Sequence, residues 1–364
     1  MTDRQSRAAG ALYGLAIGDA LGMPTQMLSR PQIVARYGPL LDGFHAAPHD
    51  HPLAAGMPAG SITDDTEQAM LVAGLIIDGD GEADAAELAR RLVAWEESMR
   101  ARGSLDLLGP STKHAVSEVL AGTDVNEAGR SGTTNGAAMR IAPVGIAVGS
   151  SDLGALVDRV VEASRLTHNT GVALAGAAAV AAAVSAGVDG ATVPEAVRFA
   201  EAAARLAARR GHWVAAADVA ERIGWATTLV AGLSAEEVCE RVYTLVGTSL
   251  ATQESVPAAF AALWACQDDP WRACLLAASL GGDCDTVAAM AAPSAAPATG
   301  WSPSRRRPRH RHARQRPAAG RHRRQAADPA GEDPSARRDR GAPHDAPGRV
   351  GPWPPHHPGP GVRP

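Results

Sequence analysis

The stretch GVALAGAAAVAAAVSAGV, residues 171–188, contains no charged side chain and consists almost wholly of alanine, glycine and valine. As a helix it is long enough to cross a lipid bilayer. Alanine and glycine contribute little to the free energy of transfer into lipid, so a helix that is apolar on every side is better explained by burial inside a protein. We therefore predict a helix buried within a bundle, and we expect no membrane partner.

Helical periodicity extends along most of the remaining chain, and runs of β-branched and aromatic residues are missing. Alanine is abundant and aromatic residues make up 4% of the chain, which favours helices packed closely through small side chains. The predicted helices include residues 136–149 and residues 213–224. Residues 23–60 show little periodicity and contain several Pro, Gly and His, so they are predicted to form a long loop that lines a site.

The net charge of −4 hides an asymmetry along the chain. Residues 301–364 hold 15 Arg and 5 acidic residues, so residues 1–300 hold 20 basic and 34 acidic residues. An acidic main body argues against binding to nucleic acid. An apolar run near the N-terminus is interrupted by Asp19, so we expect no secretory signal.

The cysteines have neither the close paired spacing of a zinc site nor the density of a secreted disulfide scaffold. We therefore expect a reduced, cytoplasmic protein. The four are Cys239, Cys266, Cys274 and Cys284.

Residues 293–364 differ sharply in composition from residues 1–292. They are rich in Arg, Pro and His and have almost no aliphatic side chains to bury, so we expect them to be disordered. A basic tail for acidic partners and weak metal binding by His are two explanations. We favour a third, a reading-frame change in a GC-rich gene, since Arg, Pro, Ala, Gly and His codons dominate such translations. A catalytic domain over 1–292 followed by a tail is the predicted organisation.

Two clusters of acidic residues each precede an apolar helix. GSITDDTEQAM, residues 60–70, places Asp64 and Asp65 between Thr63 and Thr66. Capping of the helix start explains one or two such acids. LGGDCDTVAAM, residues 280–290, repeats the arrangement.

The second cluster contains Asp283, Asp285 and Thr286 after a Gly-Gly turn. If both clusters face one another, four carboxylates and two hydroxyls converge, and the carboxylates repel one another or take up protons unless a cation lies between them. Hard oxygen ligands suit Mg²⁺, Mn²⁺ or Ca²⁺ and suit zinc poorly. The two clusters together predict a divalent-metal site.

Six ordered motifs resemble those of the ADP-ribosylglycohydrolase family, which includes the dinitrogenase reductase-activating glycohydrolase and the eukaryotic ADP-ribosyl-acceptor hydrolases. The resemblance covers residues 8 to about 292. The motifs are GALYGLAIGDALGMPTQ (10–26), GSITDDTEQAM (60–70), LGPSTKHAV (108–116), TTNGAAMRIAPVGI (133–146), LTHNTGVALAGAAAV (166–180) and GGDCDTVAAM (281–290).

The resemblance implies an all-α fold, a compact orthogonal multi-helix bundle of this family's type, with two divalent cations, Mg²⁺ or Mn²⁺. It implies cleavage of the bond between the anomeric carbon of ADP-ribose and an acceptor on a protein or small molecule. Asp65 and Asp283 are the candidates for the catalytic neighbourhood, and the proton acceptor could be either. The implied metal ligands are Thr63, Asp64, Asp65, Asp283, Asp285 and Thr286.

The stretch TTNGAAMR, residues 133–140, opens a helix with small residues whose backbone N–H groups suit an anion such as a diphosphate. Tight helix packing explains the same residues equally well. By resemblance, the substrate-binding residues are Asn135, Gly136, Ala137, Ala138 and, at the start of the alanine-rich helix, His168. A lone His is otherwise most often a structural residue.

Two positions depart from the family pattern. Gln26 stands where many members carry a Glu, and a Gln neither acts as a base nor neutralises a cation. Thr134 stands where the dinitrogenase reductase type has an Asp. These changes leave two alternatives to hydrolysis of an ADP-ribosyl bond: a nucleoside-type N-glycosidase at the same site, or a catalytically silent protein that binds ADP-ribose.

Overall fold

The computed structural model describes residues 3–104 and 108–295. Within them the chain forms fifteen α-helices and no β-strand, which confirms the predicted all-α class. The helices are α1 (Asp3–Gly22), α2 (Arg30–Tyr37), α3 (Asp64–Asp78), α4 (Ala85–Ala101), α5 (Pro110–Leu120), α6 (Gly136–Met139), α7 (Ala142–Ala147), α8 (Leu153–His168), α9 (Gly171–Asp189), α10 (Val193–Ala207), α11 (Val219–Val230), α12 (Ala235–Arg241), α13 (Thr252–Ala265), α14 (Pro270–Ala278) and α15 (Cys284–Ala295).

Helix α9, which contains the alanine-rich stretch, lies inside the bundle. It is long and apolar enough to cross a membrane, yet its most apolar window is wholly buried by the surrounding protein. Its small side chains let other helices approach: a Cβ added at Gly176 would lie 2.2 Å from the Cγ2 atom of Thr252 in α13. The predicted explanation, a helix in a protein core, accounts for its composition.

Helices α1 and α15, from opposite ends of the described chain, pack in close contact through glycine. A Cβ on Gly18 would lie 2.2 Å from the carbonyl oxygen of Ala288, and one on Gly22 would lie 2.3 Å from Cα of Asp285. Only a residue without a side chain permits this separation. The contact fixes the start of α15, with its acidic residues, against the end of α1.

The region predicted as a loop, residues 23–60, contains the short helix α2. Ser29 and Gln32 form a capping box at its start, with the Ser29 amide donating to Gln32 Oε1 at 2.8 Å, and Pro31 occupies the first turn. Arg30 is buried and donates from Nη1 to the carbonyl of Ser279 at 2.7 Å. The loop prediction was therefore wrong for this segment, since capping signals rather than a long apolar period define the helix.

Two predicted helices have different bounds in the structure. Residues 136–149 form α6 and α7 instead of one helix, because Pro143 lacks the amide hydrogen needed to continue α6 and instead occupies the first turn of α7. The helix predicted at 213–224 begins only at Val219, where Asp218 accepts a hydrogen bond from the amide of Glu221 at 3.0 Å. Helix α15 extends through Ala295, past the predicted end of the domain; residues 296–364, the rest of the predicted tail, lie outside the described residues.

Candidate functional site

The starts of α3 and α15 open onto one cavity of about 250 Å³. Asp64 lines it from α3, and Asp283, Asp285 and Thr286 line it from α15 and the turn before it. The remaining described lining residues include Gln26, Leu53, Leu108, Thr112, Thr134, Asn135, Gly136, Met139 and Leu250. The structure thus brings the two acidic clusters to a single cavity, although more than 200 residues separate them in the chain.

Asp65 lies beneath this cavity and is fully buried. Its Oδ2 atom lies 3.3 Å from the hydroxyl of Thr63 and 3.3 Å from the hydroxyl of Thr286. Its Oδ1 atom receives no hydrogen bond from the described residues. A buried carboxylate oxygen without a donor is costly, and a cation removes that cost by supplying charge.

Burial raises the pKa of Asp65 well above its ordinary value, and the charges of the neighbouring aspartates, Asp64 first and then Asp285, raise it further. Burial also raises the pKa of Asp283 to about 6, although hydrogen bonds from Asn135 and Thr286 oppose the shift. Without a cation, part of the cluster therefore holds protons near neutral pH.

The cluster has the donor chemistry of a hard-cation site. The residues that would hold divalent cations are Thr63, Asp64, Asp65, Asp283, Asp285 and Thr286. The described residues contain no group of three acidic, His or Cys side chains already arranged to hold a metal ion. The residues that would bind the cations lie close together, and binding would require their side chains to turn toward the ion.

We expect Mn²⁺ to raise the melting temperature more at about pH 7.5 than at about pH 5. The raised pKa of Asp283 means that the folded protein holds a proton there at the lower pH, and the cation must displace it. In the metal-free protein the same shift lowers the free energy of unfolding as pH rises from about 4 to 6.

The measurement is differential scanning fluorimetry with and without Mn²⁺ at both pH values, with KCl of equal ionic strength as the control. An increase in melting temperature that is the same at both pH values would contradict this assignment.

Asn135 connects the stretch TTNGAAMR, residues 133–140, to the acidic cluster. Its Nδ2 group donates to Asp283 Oδ2 at 2.5 Å and to Ser255 Oγ at 3.0 Å. The amide therefore orients the Asp283 carboxylate as well as lining the cavity. Gly136 lies on the cavity wall, whereas Ala137 and Ala138 are buried behind it and are absent from the described lining.

His168 is the last residue of α8, so the prediction that it starts the alanine-rich helix was wrong. It is fully buried behind Thr134 and is not among the described lining residues. Its Nδ1 atom lies 2.7 Å from the hydroxyl of Thr167, and its Nε2 atom lies 3.0 Å from the hydroxyl of Thr134. Burial and the charge of Arg140 lower the pKa of His168 well below its ordinary value, so the ring is neutral.

A chain of hydrogen bonds links Arg140 to Thr134 through Thr167 and His168. Arg140 donates from Nη2 to Thr167 Oγ1 at 2.6 Å, and Thr167 Oγ1 and the Thr134 hydroxyl contact the two ring nitrogens of the histidine. The structure therefore places Thr134 on the cavity wall, with His168 orienting its hydroxyl from behind.

Sequence reasoning missed Gln68, which joins this network to the acidic cluster. Its Nε2 group donates to Asp64 Oδ2 at 2.9 Å, and its Oε1 accepts from Arg140 Nη1 at 2.7 Å. Burial lowers the pKa of Arg140 to about 10, so the guanidinium stays charged at neutral pH. The sequence did contain a signal for Gln68, because it stands four residues after Asp64 and residues four apart on a helix are neighbours.

Gln26 also lines the cavity, and its side chain is buried. Its Nε2 atom has no hydrogen-bond partner among the described residues. The position that departs from the family pattern thus holds a neutral amide with donor capacity at the site.

A family model described as ADP-ribosylglycohydrolase matches residues 1–304. The chain is 35% identical over 289 residues to YegU, an uncharacterized protein of Escherichia coli (strain K12), an alignment covering 79% of this chain and 86% of YegU. It is 32% identical over 291 residues to an uncharacterized protein of Archaeoglobus fulgidus, covering 79% of this chain and 85% of the relative.

Two further comparisons match proteins whose names refer to ADP-ribosyl glycohydrolases. It is 29% identical over 170 residues to the ADP-ribosyl-[dinitrogen reductase] glycohydrolase of Rhodospirillum rubrum, covering 45% of this chain and 51% of that enzyme. A solved structure of an ADP-ribosylglycohydrolase-related protein complex has the same fold, with a TM-score of 0.56 and 24% identity over 84% of this chain and 92% of the other. The family match supports hydrolysis of ADP-ribosyl linkages as the class of reaction. Its extent shows that the chain belongs to the ADP-ribosylglycohydrolase family.

Proposed function

We propose that this chain is a hydrolase that depends on two divalent cations, Mg²⁺ or Mn²⁺, and cleaves the bond between ADP-ribose and an acceptor. The observation that carries the proposal is the convergence of α3 and α15 on one cavity, with a buried oxygen of Asp65 that receives no hydrogen bond from the part of the chain that the structure describes. Membership of a glycohydrolase family supports the reaction class. When bound, the cations supply Lewis-acid chemistry to the site.

The chain's own residues have distinct roles in this proposal. Asp65 and Asp283 are the candidates to accept the proton of the attacking water, because Asp283 lines the cavity, Asp65 lies beneath it, and both have raised pKa values. Glycosidic cleavage develops positive charge on the ribose, which neighbouring carboxylates stabilise. Asn135 holds Asp283 in place through its 2.5 Å hydrogen bond.

In this proposal, the cavity wall formed by residues 133–140 binds the rest of the ADP-ribosyl group. Thr134 and Gly136 present a hydroxyl and a backbone surface to the cavity, and Thr112 lies beside them. His168 acts through Thr134, and Ala137 and Ala138 provide the packed layer beneath. Substrate contacts are therefore assigned first to Thr134, Asn135 and Gly136.

The test is an assay of the purified full chain with ADP-ribosylated arginine, ADP-ribosylated serine and nucleoside analogues. Each is incubated with Mn²⁺, with Mg²⁺ or with EDTA, and the released ADP-ribose or free base is quantified. We expect release of ADP-ribose that requires a divalent cation. Retained activity in EDTA would contradict the metal dependence, whereas release of free base alone would instead establish the nucleosidase alternative. Calorimetric binding of ADP-ribose without turnover would establish a silent binding protein.

A further inference from the structure

Asp19 is a fully buried carboxylate in α1 that is absent from the described cavity lining. It accepts hydrogen bonds from both threonines that flank the aspartate pair. The Thr63 amide lies 3.1 Å from Oδ1 and 3.0 Å from Oδ2, and the Thr66 amide lies 3.1 Å from Oδ2. The hydroxyls of Thr63 and Thr66 donate to Oδ1 at 2.7 Å and to Oδ2 at 2.5 Å. The Asp19 carboxylate thus binds the start of α3 as an acceptor, with every donor supplied by Thr63 and Thr66.

The Thr63 hydroxyl has one proton and two neighbouring carboxylates. Asp19 Oδ1 lies 2.7 Å away, whereas Asp65 Oδ2 lies 3.3 Å away. The shorter contact receives the proton, because a charge-assisted O–H···O bond strengthens as it shortens. The lone pairs of Thr63 Oγ1 therefore face Asp65 and the acidic cluster. A hydroxyl that coordinates a cation does so through a lone pair.

We propose that Asp19 is a positioning residue that accepts a hydrogen bond from the Thr63 hydroxyl and thereby directs the Thr63 lone pairs toward the cation site. The inference rests on the proposed function, since it needs the same cations. Residues behind a metal ligand commonly fix its orientation in this way. Asp19 acts through Thr63 and has no contact with substrate in this account.

The isosteric variant Asp19→Asn is expected to reverse the orientation of the Thr63 hydroxyl. The Oδ2 position lies within 3.1 Å of the Thr63 and Thr66 amides, so the amide oxygen of the asparagine is retained there. Its Nδ2 group then occupies the Oδ1 position, 2.7 Å from Thr63 Oγ1. It donates to that oxygen, occupies a lone pair and turns the hydroxyl proton toward Asp65. We expect the affinity for Mn²⁺ to fall about 10- to 100-fold.

Thr66→Val is the matched control, because it removes the other hydroxyl bonded to the same carboxylate and leaves the Thr63 contact in place. Mn²⁺ affinity is measured by isothermal titration calorimetry, and folding by circular dichroism and melting temperature. We expect both variants to melt earlier than the wild type and only Asp19→Asn to lose affinity. Equal affinity of folded Asp19→Asn and wild type overturns this inference alone, as does an equal loss in both variants. A wild type that binds no Mn²⁺ overturns the proposed function as well.

A second measurement uses the wild type and so does not depend on the folding of Asp19→Asn. A hydroxyl proton that is hydrogen-bonded to a buried carboxylate exchanges slowly with water and gives its own proton NMR signal. We expect such a signal, coupled to the Thr63 side chain, to persist when Mg²⁺ is added. Absence of this signal from the Mg²⁺-loaded protein would contradict the hydrogen bond from the Thr63 hydroxyl to Asp19.

Discussion

Replacing Asp65 or Asp285 by alanine is expected to lower kcat/KM for ADP-ribosyl hydrolysis by about 10³-fold or more. Both carboxylates are buried at the acidic cluster, one from each of the two helix starts. Removing either one takes away a negative charge and a ligand from the site that we propose for the cations. The measurement is the initial rate of ADP-ribose release with saturating Mn²⁺.

The matched control is Glu67→Gln, which changes the third acidic residue of the same helical turn. Glu67 faces away from the cavity: its Oε2 accepts from Trp95 Nε1 at 2.5 Å and pairs with Arg102 at 3.2 Å. We expect this variant to keep wild-type activity, since it retains its size and lies outside the cluster. Equal losses in Asp65→Ala and Glu67→Gln would show that the turn matters for folding rather than for chemistry.

Gly22→Ala is expected to destabilise the fold by about 3 kcal/mol or more. The added Cβ would lie 2.3 Å from Cα and 2.5 Å from the amide nitrogen of Asp285. Backbone atoms cannot rotate away as a flexible side chain can, so α1 and α15 must separate. In an exposed helix the same substitution is favourable by about 1 kcal/mol, so the sign of the effect identifies the cause.

The control for this variant is Gly43→Ala, because a Cβ at Gly43 would have no atom of residues 3–104 or 108–295 within 4 Å apart from its own residue and its two chain neighbours. Circular dichroism on heating measures both, and we expect Gly22→Ala to melt about 5 °C or more below the wild type. Separation of the helices also displaces Asp285, so Mn²⁺ affinity should fall together with stability. Equal melting temperatures for the two variants would contradict the close packing of α1 on α15.

The fold class and the acidic clusters followed from local sequence signals. Helical periodicity predicted helices along most of the chain, the family resemblance implied an all-α bundle, and the composition of residues 171–188 predicted the buried helix α9. Helix α2 was missed because its eight residues carry capping signals but little apolar period. The split between α6 and α7 was missed because a proline can start a helix as readily as interrupt one.

The parts of the site that the sequence did not predict depend on contacts between distant residues. Arg140 meets Gln68, 72 positions earlier, and Asp19 meets Thr63, 44 positions later. No spacing rule relates such pairs, since only the packing of separate helices brings them together. The position of His168 behind Thr134 has the same origin, because α8 carries the histidine to the back of the loop that contains the threonine.

Anomalous diffraction from crystals grown with Mn²⁺ shows directly whether cations bind between the two acidic clusters. We expect two Mn²⁺ peaks in the cavity, between Thr63, Asp64 and Asp65 on one side and Asp283, Asp285 and Thr286 on the other. A folded protein at saturating Mn²⁺ with no peak between these side chains would contradict the proposed cation site.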